Sequence, residues 1–117
     1  MKRIYIVDAS VKLRKRLYEL LSDVENVQVI GQAGNADDAM ADISVLKPDT
    51  VLLDIRLPGK SGIQLLGEIK EFQSEITVII MTNYDYPQYR HKSLQAGADH
   101  FFNKTREFES IIQVLKR

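Results

Sequence analysis

Five short apolar runs, rich in β-branched or aromatic residues, restrict the fold of this chain more than any other feature. Continuous apolar runs of this kind are typical of strands whose two faces are both buried. They occupy residues 4–7 (IYIV), 27–33 (VQVIGQA), 50–53 (TVLL), 77–81 (TVIIM) and 99–102 (DHFF). The sequence therefore predicts a five-stranded sheet whose central strands have no solvent-exposed side.

Between and after these runs, apolar residues recur at spacings of three and four, which places them on one face of a helix. The first helix is predicted to begin near Ser10, whose hydroxyl can cap a helix N-terminus. Its apolar face comprises Leu13, Leu17, Leu20, Leu21 and Val24. The second helix contains Ala39, Ile43 and Leu46, and the third contains Ile63, Leu66, Ile69 and Lys70. The fourth covers residues 89–95, and the fifth contains Phe108, Ile111, Ile112 and Leu115. Pro48 and Gly97 end the second and fourth helices.

Strands that alternate with helices form βαβ units, which give a mainly parallel sheet with helices on both faces. At 117 residues the chain is close to the commonest size of a single domain. We therefore predict one α/β domain over residues 1–117, with a doubly wound sheet in the strand order 2-1-3-4-5 and five helices.

Charge and composition limit the classes of protein to which this chain can belong. Sixteen basic residues balance 16 acidic ones, which argues against direct binding to nucleic acid or to a membrane surface. The chain has no cysteine, so thiol catalysis, disulfides and Cys-based metal sites are excluded. No apolar run approaches the roughly 20 residues that span a bilayer, and the N-terminal run is too short for a signal peptide. We expect a cytoplasmic protein.

Polar side chains follow four of the five predicted strands, and one of them lies in the stretch VLLDIRLPGKSG. These residues are Asp8, Asp54, Thr82 and Lys104. The carboxyl ends of parallel strands meet at one edge of the sheet, where ligands bind in such folds. In the order 2-1-3-4-5 the first and third strands are neighbours, so Asp8 is expected beside Asp54. Residues 58–59 (Pro-Gly) turn the chain away and are expected to leave Asp54 facing solvent.

This combination, with Asp54 in LLDIRLPGKSG and Lys104 in GADHFFNK, resembles the receiver domain of two-component response regulators over essentially the whole chain. The resemblance implies a flavodoxin-like fold and phosphorylation of Asp54 by a sensor histidine kinase. It implies that Lys104 pairs with the phosphoryl oxygens and that the Thr82 hydroxyl follows one of them. It also implies a signalling domain that assists only its own phosphorylation and dephosphorylation, not an enzyme acting on a separate substrate.

The resemblance further implies a Mg²⁺ site formed by Asp8, Asp54 and the main-chain carbonyl of Arg56. Receivers usually carry two acids after the first strand, whereas this sequence reads Asp8-Ala9. Because Ala9 takes the position that normally contacts the metal, Mg²⁺ binding is expected to be weakened.

In the family, a Thr and an aromatic residue act together as a switch, and here they correspond to Thr82 and Phe101. The surface that responds comprises the fourth helix, fifth strand and fifth helix, roughly residues 87–96, 98–102 and 107–115. Through this surface a homodimer is expected. Two further departures flank the site: Thr105 follows the lysine where proline is common, and Asn83 is bulkier than the residue usually found there.

Alternatives remain at this point. A receiver-like interaction module that is never phosphorylated is the strongest, because Ala9 weakens the metal site. A phosphatase with an aspartate nucleophile usually has a second acid two residues on, where Arg56 stands. A flavodoxin-like cofactor binder would need a hydroxyl-rich phosphate loop, which DASVKLR does not provide. The basic run Lys12, Arg14, Lys15 and Arg16 is interpreted as a solvated helix surface, with a kinase-docking face as the alternative.

Overall fold

The computed structural model describes all residues, 1–117, as five strands that alternate with five helices. The strands are β1 (Lys2–Val7), β2 (Val27–Ala33), β3 (Thr50–Leu53), β4 (Thr77–Thr82) and β5 (His100–Asn103). The helices are α1 (Val11–Leu21), α2 (Ala36–Leu46), α3 (Gly62–Phe72), α4 (Pro87–Gln95) and α5 (Phe108–Leu115). All neighbouring strands are parallel, in the order β2-β1-β3-β4-β5, which confirms the predicted topology.

Alternate residues of each strand enter two separate cores, one on each face of the sheet. On one face, Tyr5 and Val7 of β1 pack with apolar residues of α2 and α3. On the other face, Ile4 and Ile6 pack with residues of α1 and α5. All four of these β1 side chains are fully buried. The sheet is therefore held rigidly between two helical layers, and the positions of its strand ends are fixed.

Helix boundaries follow local capping chemistry. The Ser10 hydroxyl accepts a hydrogen bond from the Leu13 N–H at 3.1 Å, which confirms the predicted start of α1. α3 begins with a capping box between Ser61 and Gln64. α2 ends at Leu46 and is capped by Lys47, which adopts the left-handed conformation with φ 49° directly before Pro48.

Some details differ from the sequence-based expectations. Leu20 is 40% exposed, because α1 turns its neighbours Leu17 and Leu21 fully inward and leaves Leu20 at the rim. α4 begins at Pro87, two residues before the helical pattern at residues 89–95 and at the start of the range 87–96 expected for the responding surface, since proline suits the first helical position. None of the five helices is both long and apolar enough to cross a bilayer.

Candidate functional site

The two aspartates lie side by side because β1 and β3 are paired up to their last residues, Val7 and Leu53. The ladder continues one step further, since the Asp54 N–H donates to the Val7 carbonyl at 3.0 Å. The Asp8 N–H donates in the same way to Ala33 at the end of β2, at 3.1 Å. Both acids are thus placed by main-chain hydrogen bonds of the sheet.

Lys104 joins the two carboxylates. Its ammonium donates to Asp54 Oδ2 at 2.7 Å and to Asp8 Oδ2 at 3.0 Å. The other Asp8 oxygen accepts from the Ser10 N–H at 2.8 Å. Lys104 is itself fixed beside β4, because its N–H donates to the Thr82 carbonyl at 3.1 Å. The structure therefore brings Asp8, Asp54 and Lys104 into direct contact.

The expectation that Asp54 faces solvent is wrong. Asp54 is only 5% exposed and Asp8 only 1% exposed. The Lys104 ammonium lies against both carboxylates, and the first residue of α3, Gly62, packs against the Asp54 main chain. The acceptor candidate is consequently a nearly buried acid whose Oδ2 is already paired with the Lys104 ammonium.

Burial sets the electrostatics of this cluster. Burial raises the pKa of the Asp8 carboxyl above its usual value, and the Asp54 charge raises it further, although the Ser10 N–H and Lys104 oppose both effects. Burial alone would lower the pKa of Lys104, but its hydrogen bonds and charge attraction to Asp54 and then Asp8 outweigh this and raise it. Lys104 therefore stays protonated, with its ammonium in contact with both acidic side chains.

The donor set fits a hard cation. No group of three or more His, Cys, Asp or Glu side chains gathers anywhere in the chain. The oxygens that the family resemblance implies as metal ligands are the Asp8 and Asp54 carboxylates and the Arg56 carbonyl, and Ala9 offers no side-chain oxygen. Two carboxylate oxygens already converge on the Lys104 ammonium, which shows that this pair can accept a positive charge. Mg²⁺ prefers oxygen ligands and keeps several waters, so these residues suit it.

The two candidate switch residues share one face of adjacent strands. Phe101 pairs with Ile80 in the sheet, and Thr82 lies two residues further along β4 on the same face. Phe101 is 4% exposed and belongs to the core on the α2–α3 side, and the Arg90 guanidinium lies 5.5 Å from its ring centroid. The Thr82 hydroxyl is fully buried and accepts from the Tyr84 N–H at 3.1 Å. It therefore bonds to its own loop and not to the carboxylates.

The loops after β4 and β5 are tied together by contacts that the sequence analysis missed. The Thr105 hydroxyl donates to Asn83 Oδ1 at 2.9 Å, so two departures noted separately in the sequence bond to each other. Asn103 donates to Asp85 at 3.3 Å, and Arg106 forms an ion pair with Asp85. Desolvation alone would raise the pKa of Asp85. The hydrogen bond from Asn103 and the charge of Arg106 together outweigh it, so the pKa of Asp85 is lowered. Both loops follow strands that are neighbours in the predicted order, and this adjacency is the signal that could have predicted their proximity.

Arg56 does not enter the carboxylate cluster with its side chain. Its N–H lies 3.4 Å from Asp54 Oδ1, while its guanidinium stacks 4.4 Å from the centroid of the Tyr84 ring. The side chain thus bridges the loops after β3 and β4 beside Asp54.

Comparison with known proteins agrees with this arrangement. The profile of the response regulator receiver domain matches residues 4–116. The response regulator GacA of Pseudomonas aeruginosa is 29% identical over 117 residues, which cover all of this chain and 55% of that protein. The chain thus spans about half the length of this relative.

Among solved structures, a DNA-binding response regulator of the LuxR family from Staphylococcus aureus has a TM-score of 0.91 at 28% identity, covering 98% of this chain and 96% of that one. A CheY-like receiver domain protein from Methanospirillum hungatei has a TM-score of 0.90 at 28% identity, covering 99% and 91%. Together with the matched profile, the order of the strands and the polar residues at their ends, this shows that the chain belongs to the receiver domain family of two-component response regulators.

Proposed function

We propose that this chain is a phosphoacceptor, which takes a phosphoryl group from a sensor histidine kinase onto Asp54. The observation that carries the proposal is the contact of Lys104 with Asp54 at 2.7 Å, next to a second buried acid, in a chain of the receiver family. A buried strand end holds this carboxylate in one place, as a nucleophile requires.

In the proposed reaction a carboxylate oxygen of Asp54 attacks the phosphorus of a phosphohistidine. The new O–P bond forms as the P–N bond breaks, and the electron pair leaves with the imidazole of the kinase. Lys104 already contacts the Asp54 carboxylate and can pair with the phosphoryl oxygens, where negative charge is concentrated. Bound by Asp8, Asp54 and the Arg56 carbonyl, Mg²⁺ would supply further positive charge to these oxygens.

Switching follows from the same geometry. For Thr82 to reach a phosphoryl oxygen, its hydroxyl must leave the Tyr84 N–H. That movement would open space on the face that Thr82 shares with Phe101. α4 is suited to shift in response, because Ser93 is its only fully buried residue and its N-terminus lacks a side-chain cap. We infer that the surface of α4, β5 and α5 changes when Asp54 is phosphorylated.

The direct test is the intact mass of the protein after incubation with Mg²⁺ and acetyl phosphate, or with a phosphorylated histidine kinase. We expect a gain of one phosphoryl group. The second candidate, an interaction module that is not phosphorylated, is favoured by the missing acid at Ala9. Unchanged mass with every donor would support that candidate and contradict the proposal.

A prediction concerns Ala9 itself. Ala9→Asp would add a carboxylate beside Asp8 and restore the acid pair of the family. We expect Mg²⁺ to bind more tightly by about 1 to 3 kcal/mol, because the new oxygen can make a charge-assisted contact. The same change adds repulsion beside Asp8, whose pKa burial already raises, so the metal-free protein should become less stable.

Ala9→Asn is the matched control for this prediction, because it adds a similar side chain without charge. Mg²⁺ titration of the three proteins, together with the rate of Asp54 labelling at limiting Mg²⁺, measures the effect. Equal Mg²⁺ affinity of the wild type and Ala9→Asp would mean that Asp8, Asp54 and water already complete the site.

A second prediction is that phosphorylation promotes a symmetric dimer through the surface of α4, β5 and α5. Of the charged residues on this surface, Arg90 and Glu107 already bond within the chain, to the carbonyl of Phe101 and the N–H of Asn103. Lys92 and Glu109 are exposed and available for ion pairs across a two-fold axis. Exposed pairs contribute only about 0 to 1 kcal/mol each, so the dimer should be weak and salt-sensitive.

Sedimentation of the phosphorylated protein at low and high salt tests the dimer. Lys92→Glu should weaken association, and the exchanged pair Lys92→Glu with Glu109→Lys should restore it. A monomeric mass on phosphorylation at low salt would contradict the prediction.

A further inference from the structure

One cation of the basic run on α1 is not solvated as the sequence suggested. Lys12, Lys15 and Arg16 are exposed, whereas Arg14 is only half-exposed. Its Nη1 donates to the main-chain carbonyl of Asp8 at 2.5 Å, and its Nε donates to Gln32 Oε1 at 3.0 Å. Arg14 therefore joins the turn after β1 to the end of β2.

The end of β2 is shaped to admit this guanidinium. A Cβ atom placed on Gly34 would lie 2.9 Å from Arg14 Nη1, so the flexible end of Arg14 would have to shift to make room for it. The φ angle of Gly34 is not positive, so the backbone conformation does not require glycine here. Space for Arg14 is the one demand on Gly34 that the structure shows.

We propose that Arg14 is a positioning residue for Asp8, which holds the Asp8–Ala9 peptide so that the Asp8 carboxylate points at Lys104 and Asp54. This inference rests on the proposed phosphoacceptor function. This role differs from docking a kinase, because Arg14 acts on the main-chain carbonyl of Asp8.

Few acids are available at this site. With Ala9 in place of an acid, Asp8 is the only carboxylate that the turn after β1 contributes to the site. One Asp8 oxygen is turned toward the Ser10 N–H, which leaves the other for Lys104 or a metal ion. A single carboxylate can bind a metal ion only if its orientation is fixed, since rotation of the Asp8–Ala9 peptide would move the Asp8 carboxylate away from Asp54 and Lys104.

Arg14 contacts that peptide at its carbonyl oxygen and not at the carboxylate. The planar guanidinium donates from two nitrogens to partners on different elements, so it resists rotation better than a single hydrogen bond would. A lysine at this position would keep the charge but could not hold Asp8 and Gln32 in the same fork geometry.

The test compares Arg14→Ala with Lys15→Ala, which removes the same charge from the next residue of α1. Mg²⁺ affinity is measured by titration of the unphosphorylated protein, alongside the free energy of unfolding. We expect Arg14→Ala to weaken Mg²⁺ binding by roughly 10-fold, the loss typical of groups that orient a metal ligand. Lys15→Ala should change the affinity little.

Gly34→Ala is the second variant, because it displaces the guanidinium while leaving Arg14 in the sequence. It should also weaken Mg²⁺ binding. For both variants the Mg²⁺ concentration at half-maximal labelling of Asp54 should rise, with the rate at saturating Mg²⁺ nearly unchanged. A merely structural role would instead lower the unfolding free energy without this shift in Mg²⁺ dependence.

The outcomes separate this inference from the proposed function. If the wild type neither binds Mg²⁺ nor gains a phosphoryl group, the phosphoacceptor proposal fails and the role of Arg14 fails with it. If the wild type does both, and Arg14→Ala matches Lys15→Ala in Mg²⁺ affinity, the positioning role alone is overturned.

Discussion

Asp54→Asn is expected to abolish incorporation of the phosphoryl group while leaving the fold intact. The amide is not a nucleophile toward phosphorus under these conditions, so no acyl phosphate can form. The main-chain bond from Asp54 to Val7 is unaffected by the change, and the amide oxygen can still accept from Lys104. The free energy of unfolding should change by only about 1 kcal/mol in either direction, because a lost charge contact is offset by relief of repulsion with Asp8.

Asp8→Asn is the matched control, since it removes the other buried carboxylate that contacts Lys104. We expect this variant to be labelled more slowly but still to gain one phosphoryl group. The measurement is intact mass, followed by location of the label in peptides and its release by hydroxylamine, to which acyl phosphates are sensitive. Labelling of Asp54→Asn at the wild-type level would remove Asp54 as the acceptor.

The meeting of Asp8, Asp54 and Lys104 could be predicted from the sequence because it depends on topology. Each follows a strand, and the carboxyl ends of parallel strands share one edge of the sheet. Apolar periodicity and the Ser10 cap were similarly local and predictable. These features need no knowledge of side-chain conformation.

The burial of Asp54 could not be predicted in this way. It depends on the conformation of Lys104, 50 residues away in sequence, and on the close approach of Gly62 to the main chain. Polar residues at strand ends usually meet solvent, and the Pro-Gly turn suggested the same. Only the three-dimensional packing shows that Lys104 and α3 bury this acid.

Arg14 shows a related limit. Its neighbours in sequence are exposed cations, although its spacing of three and seven residues from Leu17 and Leu21 places it on the same side of α1 as these buried residues. Its partner Gln32 lies 18 residues away at the end of β2, and the space it occupies is left by Gly34. A long-range contact of this kind carries no periodic signal, and charge alone indicates solvation.

The second large effect is expected at Gly62, the first residue of α3. Its N–H donates to the Ile55 carbonyl at 2.8 Å, so the first turn of α3 lies against the segment that follows β3. A Cβ atom placed on Gly62 would lie 2.0 Å from the Asp54 carbonyl oxygen and 2.8 Å from the Ile55 Cα. Both contacts are with main-chain atoms, which cannot turn aside as a flexible side chain can. The φ angle of Gly62 is not positive, so glycine is required here for space and not for its backbone conformation.

Gly62→Ala should therefore lower the free energy of unfolding by about 3 kcal/mol or more, at or beyond the upper end of overpacking effects. Relief of the clash must shift either α3 or the Asp54–Ile55 peptide, so the acceptor carboxylate should move relative to Lys104. We expect labelling of Asp54 to slow in the fraction of protein that remains folded.

Gly67→Ala on the same helix provides a control of opposite sign. A Cβ atom at Gly67 would meet nothing within 4 Å, so alanine there should stabilise α3 by about 0.5 to 1 kcal/mol through its higher helix propensity. Denaturant unfolding of the two variants and the wild type measures both effects. If Gly62→Ala is as stable as the wild type and is labelled at the same rate, α3 does not constrain the position of Asp54. If the two variants instead separate by the expected amounts, the tight start of α3 and not helix propensity is what keeps the acceptor in place.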